Sequence, residues 1–347
     1  MNFQEFQTWR QTCLQQQPGL LDCGETNLYR ALGPWQLQAK ENSENTAIYR
    51  CDLARAWLSH YGWPEARSRQ ALVCRGVRHA LHLIFQQLAS NEATLWLPGD
   101  VYPVYASIAS AYGLRPDRYA TLPIPALPAL TSADLGHAEF LLLCNPWKPL
   151  GRYLTRSECS HLKQWLQQSS RRFLVLDCVY DLGAPLHETT RELEATGKAI
   201  VLHSLTKAWL WPETFGVALV PDQLQSKFEK AFRDDAPSLS QLNMGHTCLL
   251  KASDRPREIA NVLEKRSTNL KERLPASVLN ARITPDADLA HGTYMLAVDI
   301  DAQTLLARYG ILALPASVYG ATDWNGSILT SLSSEFSCQQ PRYTDAA

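Results

Sequence analysis

The chain has 347 residues, enough for a sizeable core, and this length favours one large and one smaller domain. The formal net charge is −1, and no stretch is densely basic, which argues against a nucleic-acid or anionic-membrane surface and suits a small neutral or zwitterionic substrate. The nine cysteines are scattered without a Cys-x-x-Cys pair, so we expect reduced thiols and no metal site. The sequence lacks a signal-peptide pattern and any apolar run of membrane-spanning length, which predicts a cytoplasmic protein.

The first 45 residues or so are predicted to form an irregular arm with one short amphipathic segment. A helix is expected from Asn45 to Tyr61, where apolar residues recur at helical spacing. From Ala71 onward, short apolar runs alternate with helical patterns. Because these runs show no polar alternation, they predict a mainly parallel sheet covered on both faces. The runs are 72–74, 95–98, 140–144, 173–177, 201–203 and 215–220.

Charged helical sequence follows Asp222 and continues to Leu274. A smaller α+β unit is predicted after it, with strands at 294–298 and 328–332 and a helix near 303–309. The tail from Cys338 is expected to be frayed. The predicted organisation is an arm that belongs to the small domain (1–45), a large domain (46–235), and connecting helices followed by the small domain (236–347).

Residues 201–209 form an apolar run that ends in Ser-Leu-Thr-Lys. A lysine at the end of a buried strand can be desolvated, which lowers its pKa and makes its amine a nucleophile toward an aldehyde. An ordinary lysine in the first turn of a helix would look the same. About thirty residues upstream, Asp177 ends another apolar run and Tyr180 follows it. An aspartate in that place can pair with a protonated ring nitrogen, which pyridoxal phosphate requires.

Four segments in the same order resemble motifs of the fold-type I pyridoxal-phosphate enzymes, specifically the class I/II aminotransferases and their histidinol-phosphate aminotransferase branch. The resemblance covers nearly the whole chain. It implies an α/β fold, with a mainly parallel seven-stranded sheet between helices in the large domain and a small α+β domain. The segments are Asp-Val-Tyr-Pro-Val-Tyr at 100–105, Asn-Pro-Trp-Lys-Pro-Leu-Gly at 145–151, Asp-Cys-Val-Tyr at 177–180 and Ser-Leu-Thr-Lys at 204–207.

The resemblance implies roles for single residues toward pyridoxal phosphate. Lys207 would bind the cofactor as a Schiff base and later move a substrate proton. Asp177 would pair with the pyridinium nitrogen, and Tyr180 would donate to the phenolate oxygen. Tyr102 would stack on the ring, or it would be a half-buried aromatic residue at a helix start.

The phosphate is expected at a helix start, because backbone N–H groups there can bind an anion. Gly76, Val77 and Arg78 would supply these groups, and Ser204 would add a hydroxyl. Asn145 is also expected near the cofactor. Tyr49 would reach the phosphate in a neighbouring subunit, which implies a homodimer with a shared active site.

Two departures from the family concern the cofactor. The arginine that usually grips the phosphate is missing from 211–216, so amides, hydroxyls and Arg75 or Arg78 would hold it. Lys148 stands where the family has an asparagine that meets the phenolate oxygen. It would stabilise the phenolate if it pointed inward, and a solvent-facing side chain remains the alternative.

A third departure concerns the substrate, since Leu329 stands where the family places an arginine for the substrate α-carboxylate. Either another cation (Lys148, Arg75 or Arg152) takes over, or the substrate is an amine, amino alcohol, amide or peptide N-terminus. The third possibility is that the chain no longer catalyses a reaction.

The leading hypothesis is a pyridoxal-phosphate-dependent aminotransferase that acts on an amine or an atypical amino-acid or peptide substrate in specialised biosynthesis. A lyase, decarboxylase or cyclase of the same fold is the first alternative, because the same lysine serves any bond cleavage at Cα. A degenerate scaffold or binding protein is the second. Trp147 and Trp209 flank the motifs and either line a pocket or fill the core, with the core as the default.

Overall fold

The computed structural model describes residues 1–33, 49–91, 93–101, 103–128, 136–211 and 215–337. The chain divides into two compact units. The large unit consists of the described residues of 34–148 and 152–257, and the small unit consists of 149–151 together with the described residues of 1–33 and 258–347. No helix in these described ranges is long and apolar enough to cross a membrane.

The strands that the structure describes are numbered in chain order. They are β1 (Leu21–Cys23), β2 (Ala71–Cys74), β3 (Thr94–Pro98), β4 (Asp117–Tyr119), β5 (Glu139–Cys144), β6 (Arg172–Asp177), β7 (Ala199–Ser204), β8 (Gly216–Leu219), β9 (Met295–Val298), β10 (Ile311–Pro315) and β11 (Ser327–Thr330). The α-helices are α1 (Phe3–Gln16), α2 (Leu28–Leu32), α3 (Arg50–His60), α4 (Val77–Ala89), α5 (Val104–Ala111), α6 (Arg156–Gln167), α7 (Glu188–Glu194), α8 (Leu205–Ala208), α9 (Asp222–Asp234), α10 (Leu239–Lys251), α11 (Arg255–Arg273), α12 (Ala276–Asn280) and α13 (Ala302–Tyr309).

The large unit contains a seven-stranded sheet in the order β2-β8-β7-β6-β5-β3-β4. Only β8 runs antiparallel to its neighbours. Every residue of β2, β5, β6, β7 and β8 is buried, which explains why these strands have no polar alternation. The predicted mainly parallel α/β sheet is confirmed. The edge strand β4 was not predicted, because it is only three residues long and its first two residues are exposed and polar.

The carboxyl ends of β2, β5, β6 and β7 lie at one edge of this sheet, because these four strands are parallel. Gly216 at the start of β8 pairs with the last residue of β2 on one side and of β7 on the other. A Cβ at Gly216 would lie only 2.8 Å from the Cα of Gly76. A glycine at 216 is therefore required for β8 to fit between the two strand ends.

The small unit contains a four-stranded sheet in the order β1-β10-β11-β9. Strand β9, helix α13 and strand β11 occur close to the predicted positions. Strand β10 was not predicted, although Gly310 before it is a left-handed helix end that marks the start of a new element.

The prediction of an irregular N-terminal arm is wrong for residues 3–32, which form α1, β1 and α2. Helix α1 has a capping box between Asn2 and Glu5 and buries only Phe6 and Arg10. Arg10 forms a buried ion pair with Asp22 on β1. The apolar periodicity of α1 is weak because a charged side chain occupies part of its buried face.

Helix α3 begins at Arg50, with Tyr49 as its N-cap residue, whereas the predicted helix began at Asn45. Residues 34–48 lie outside the described ranges, as does the predicted frayed tail from Cys338. Helix α6 follows Thr155, whose side chain forms the predicted capping box with Glu158. The charged region after Asp222 forms α9, α10 and α11.

Candidate active site

Three predicted site residues come together at the carboxyl edge of the large sheet. Tyr180 lies three residues beyond the end of β6, and Lys207 lies on the short helix α8 directly after β7. The Lys207 Nζ lies 5.9 Å from the centre of the Tyr180 ring. The amine of Lys148 lies over the same ring. Two amines and one phenol therefore share one site.

The environment of Lys207 favours a reactive amine. Its side chain is largely removed from solvent, and burial lowers its pKa; the nearby guanidinium of Arg78 lowers it further. An amine with a lowered pKa is unprotonated in a larger fraction of molecules at neutral pH, and only that form attacks an aldehyde.

Asp177 ends β6 and is only 6% exposed. One carboxylate oxygen accepts a 2.5 Å hydrogen bond from the Tyr105 hydroxyl, and the other accepts from the Val179 N–H at 3.1 Å. Burial raises the pKa of Asp177, while these hydrogen bonds oppose the rise by stabilising the carboxylate. Sequence reasoning quoted Tyr105 in a motif but assigned it no role.

Lys148 turns into the site, so the solvent-facing alternative is wrong. Burial lowers the pKa of Lys148 well below its ordinary value, and the neighbouring Lys207 adds to this effect. The negative charge of Asp177 acts in the opposite direction and raises the pKa of Lys148. The ion pairs of the described residues do not include one between Asp177 and Lys148.

The expected phosphate end lies at the start of α4. Gly76 is the N-cap residue, with φ +112°, and a Cβ there would approach only the Thr206 hydroxyl, at 3.9 Å. Val77 is buried, whereas Arg78 is exposed. Ser204 is buried at the end of β7 and pairs with Gly216. The glycine leaves room for an anion to approach the first N–H groups of the helix.

Arg75, one of the alternatives for phosphate binding, already has a carboxylate partner beside the first turn of α4. Its guanidinium donates to both carboxylate oxygens of Asp235, at 2.6 and 2.7 Å. The same carboxylate lies 3.0 Å from the Nε2 of His79. Of the two arginines considered for the phosphate, Arg78 has no ion-pair partner among the described residues, whereas Arg75 is engaged by Asp235.

The contacts of Asn145 contradict a direct role in cofactor binding. The side chain is fully buried, and its amide group donates to the hydroxyls of Thr189 and Thr190 at 3.0 and 2.8 Å. Its oxygen accepts from the Leu154 N–H at 3.0 Å. Asn145 therefore positions the loop that carries Lys148.

For two tyrosines of the predicted site, the structure gives no contact with the residues described above. Tyr102 lies outside the described residues. Tyr49 is 67% exposed at the start of α3. Its contact with a cofactor in a second subunit stays a prediction.

Trp147 and Trp209 belong to the core, as the default interpretation had it. Both are fully buried. The Trp209 indole donates to the Ala252 carbonyl at 2.8 Å, and Trp147 packs edge-on against Tyr119. Neither indole therefore lines an open pocket.

Leu329 and Arg152, one of the cations considered in its place, are both engaged away from a substrate carboxylate. Leu329 is fully buried on β11, in the apolar core of the small unit. Arg152 donates to both carboxylate oxygens of Glu158, each at 2.8 Å. Together with the Arg75–Asp235 pair, this leaves Lys148 as the remaining cation among those that the sequence suggested.

Sequence reasoning missed a buried polar network next to Tyr180. Asp181 accepts hydrogen bonds from the Tyr153 hydroxyl at 2.9 Å and from the His187 N–H at 2.8 Å, and burial raises its pKa to about 6. His203 on β7 is fully buried, with its Nε2 3.2 Å from the Asp181 carbonyl oxygen. Burial lowers the pKa of His203 to about 4. This network holds the loop that presents Tyr180.

His203 should make the protein sensitive to acid. Between about pH 6.5 and pH 4 the unfolded chain protonates this histidine while the folded chain keeps it neutral, so stability falls as the pH falls. The pKa difference corresponds to about 3 kcal/mol. Urea unfolding at several pH values should show that wild type loses about this much more stability than His203→Gln.

His291→Gln, which changes an exposed histidine, should follow wild type. Asp181 contributes with the opposite sign, because its raised pKa stabilises the folded state at low pH. This contribution is the same in wild type and both variants, so it cancels in the comparison. Equal acid sensitivity in wild type and His203→Gln would contradict the role assigned to His203.

The residues present fit pyridoxal phosphate. The strand ends supply a low-pKa amine for an aldehyde, a carboxylate for a ring nitrogen and a phenol near the amine. The glycine-led start of α4 supplies N–H groups for a phosphate. A metal site would need different ligands, and no group of three or more histidine, cysteine or acidic residues suited to a metal occurs in the described ranges.

Comparison with solved structures places this architecture among aminotransferases. L,L-diaminopimelate aminotransferase from Chlamydomonas reinhardtii is 16% identical with a TM-score of 0.65, covering 97% of this chain and 93% of that one. An aminotransferase from Mycobacterium tuberculosis is 17% identical with a TM-score of 0.69, covering 96% and 94%. An aspartate aminotransferase double mutant from Thermus thermophilus is 17% identical with a TM-score of 0.68, covering 96% and 93%. Likeness at this level of identity shows the fold.

No curated protein matches the sequence. A family model does, over residues 40–325, and it describes aminotransferase class I and II. This range includes the seven strands of the large sheet, Lys207 and Asp177. The chain therefore belongs to the aminotransferase class I and II family.

Proposed function

We propose that this protein is an aminotransferase that holds pyridoxal phosphate through Lys207 and acts on a small amine or an atypical amino acid. The observation that carries the proposal is the placement of Lys207 and Asp177 at the ends of the neighbouring parallel strands β7 and β6. When bound, the cofactor supplies an electron sink for negative charge at the substrate Cα.

Each residue has a defined task in this proposal. The Lys207 Nζ binds the aldehyde carbon and, once released, takes the proton from the substrate Cα. Asp177 accepts a hydrogen bond from the ring nitrogen and keeps that nitrogen protonated. Tyr180 donates from its hydroxyl to the phenolate oxygen. The N–H groups at the start of α4, with Arg78, bind the phosphate.

The substrate is proposed to be bound without the family's arginine, because Leu329 is in the core and Arg152 is paired with Glu158. A place in specialised biosynthesis, a cytoplasmic location and membership of the histidinol-phosphate branch stay predictions. A homodimer also stays a prediction. It is supported by exposed apolar side chains on two helices that pack together: Tyr49 at the start of α3, and Leu239 and Leu250 on α10. The mass of the protein in solution checks it.

The proposal is tested by mixing purified protein with pyridoxal phosphate, recording the visible spectrum, reducing with borohydride and mapping the labelled peptide. We expect a yellow species and a label on Lys207, because its amine is largely shielded from solvent, has a lowered pKa and lies near the Tyr180 ring. Lys207→Ala should abolish both the colour and the label.

Lys148→Ala is the matched control, because it removes the other amine that lies beside the Tyr180 ring. This variant should still carry the label on Lys207. A colourless protein at excess cofactor, or a label on Lys148 in wild type, would overturn the proposal.

A further inference from the structure

Three basic side chains and one carboxylate lie in or beside the candidate site. Lys207, Lys148 and Arg78 lie in or beside it, whereas Asp177 is the carboxylate whose charge acts on Lys148. Asp177 is also engaged by Tyr105 and is aimed at a ring nitrogen in the proposed function. A cofactor phosphate at the start of α4 would balance Arg78. Lys148, which the sequence places near the phenolate oxygen, has three rotatable donors and can bind a substrate carboxylate as well.

Lys148 is not committed to another partner, unlike the other cations considered for a substrate carboxylate. Arg75 is held by Asp235 and Arg152 by Glu158. No ion pair of the described residues includes the Lys148 amine, which lies over the Tyr180 ring. A lysine placed in this way can move toward an incoming anion, because its four-carbon chain is flexible and its three donors rotate.

Burial makes the arrival of an anion favourable for Lys148. Without a counter-ion an ammonium in this partly buried position is costly, and loss of solvent and Lys207 both lower the pKa of Lys148. A carboxylate beside the amine restores the ammonium form, and the charge-assisted hydrogen bond then contributes to binding. A neutral ligand cannot supply this compensation.

We propose that Lys148 binds the carboxylate of the substrate. It would take over the role of the family's arginine, whose position is occupied here by Leu329. This inference rests on the proposed function and deepens it: it selects substrates with a free carboxylate over the amines, amino alcohols, amides and peptide N-termini that the sequence left open. A lysine is a point charge without the fixed fork of arginine, so the site should tolerate more than one carboxylate orientation.

The test measures the binding of unreactive acids to the cofactor-loaded protein by calorimetry and by the change in the visible band. The probes are 3-phenylpropionate and propionate, each compared with its neutral amide, so that only the charge differs within a pair. Wild type should bind each acid about ten- to a hundredfold more tightly than its amide. Lys148→Met should lose this preference, and Lys148→Arg should keep most of it.

Lys227→Met is the matched control. Lys227 is a half-buried lysine on α9 that lies near the Phe140 ring, and burial also lowers the pKa of Lys227. This variant should bind like wild type. Equal binding of acids and amides by wild type would overturn the inference, and so would a preference for acids that persists in Lys148→Met. If Lys207 is labelled in these experiments, the proposed function still stands. Failure to label Lys207 would instead overturn the proposed function.

Discussion

Replacement of Asp177 by alanine should lower the rate of amino-group transfer about a thousandfold. Asp177 is a buried carboxylate at the end of β6, and in the proposed function it keeps the cofactor ring nitrogen protonated. Without that charge, the negative charge that forms at the substrate Cα is poorly delocalised, and loss of one such electrostatic contact costs about 10²–10³ in rate. Single-turnover loss of the visible band with a panel of amino acids and amines measures the effect.

Asp177→Asn separates charge from shape, because an amide oxygen can still accept from Tyr105. We expect it to be nearly as slow as the alanine variant. Tyr105→Phe removes the hydrogen bond but leaves the charge, and should cost much less. Rates within tenfold of wild type in Asp177→Ala, with Lys207 still labelled, would show that this carboxylate does not support the reaction.

Replacement of Asp100 by alanine should lower the free energy of unfolding by about 3–5 kcal/mol. Asp100 is buried in the loop after β3, and its oxygens accept from the Thr121 N–H at 2.6 and 2.8 Å and from the Leu122 N–H at 2.5 Å. The Thr121 hydroxyl also donates to it, at 2.6 Å. Alanine leaves these buried donors without an acceptor. Urea unfolding measures the loss.

Asp117→Ala is the control, because Asp117 lies on the neighbouring edge strand β4 but is exposed. Its substitution should change stability by less than about 0.5 kcal/mol. Asp100→Asn should fall between the two, since it keeps one oxygen acceptor and places an NH₂ group against N–H donors. Equal stability of Asp100→Ala and Asp117→Ala would show that the loop has other acceptors for Thr121 and Leu122.

The large sheet was predictable because parallel strands buried on both faces are apolar throughout. Residues 140–144 and 173–177 show this pattern directly in the sequence. Strand β1 does not, because its middle residue is Asp22, whose charge is balanced by Arg10 from α1. Helix α1 was missed for the same reason. Pairing between two charged residues in different elements leaves no periodic pattern in the sequence.

The positions of Lys207 and Asp177 at the carboxyl edge of the sheet were predictable, because each follows an apolar run that forms a buried strand. Their roles toward a cofactor stay predictions. The contacts of Asn145 and Arg75 could not be foreseen, because Thr189 is 44 residues from Asn145, and Asp235 is 160 residues from Arg75. A local motif shows which side chain is present, but not which distant partner engages it.

The position of Gly216 has a consequence for the two loops that follow its partner strands. It pairs with Cys74 before α4 and with Ser204 before α8, so β8 holds these two strand ends two strand spacings apart, about 10 Å. Neither loop can change this separation alone, since ladder hydrogen bonds set it. The backbone therefore fixes where both loops begin, and substitution of a side chain such as Arg78 leaves these starting points unchanged.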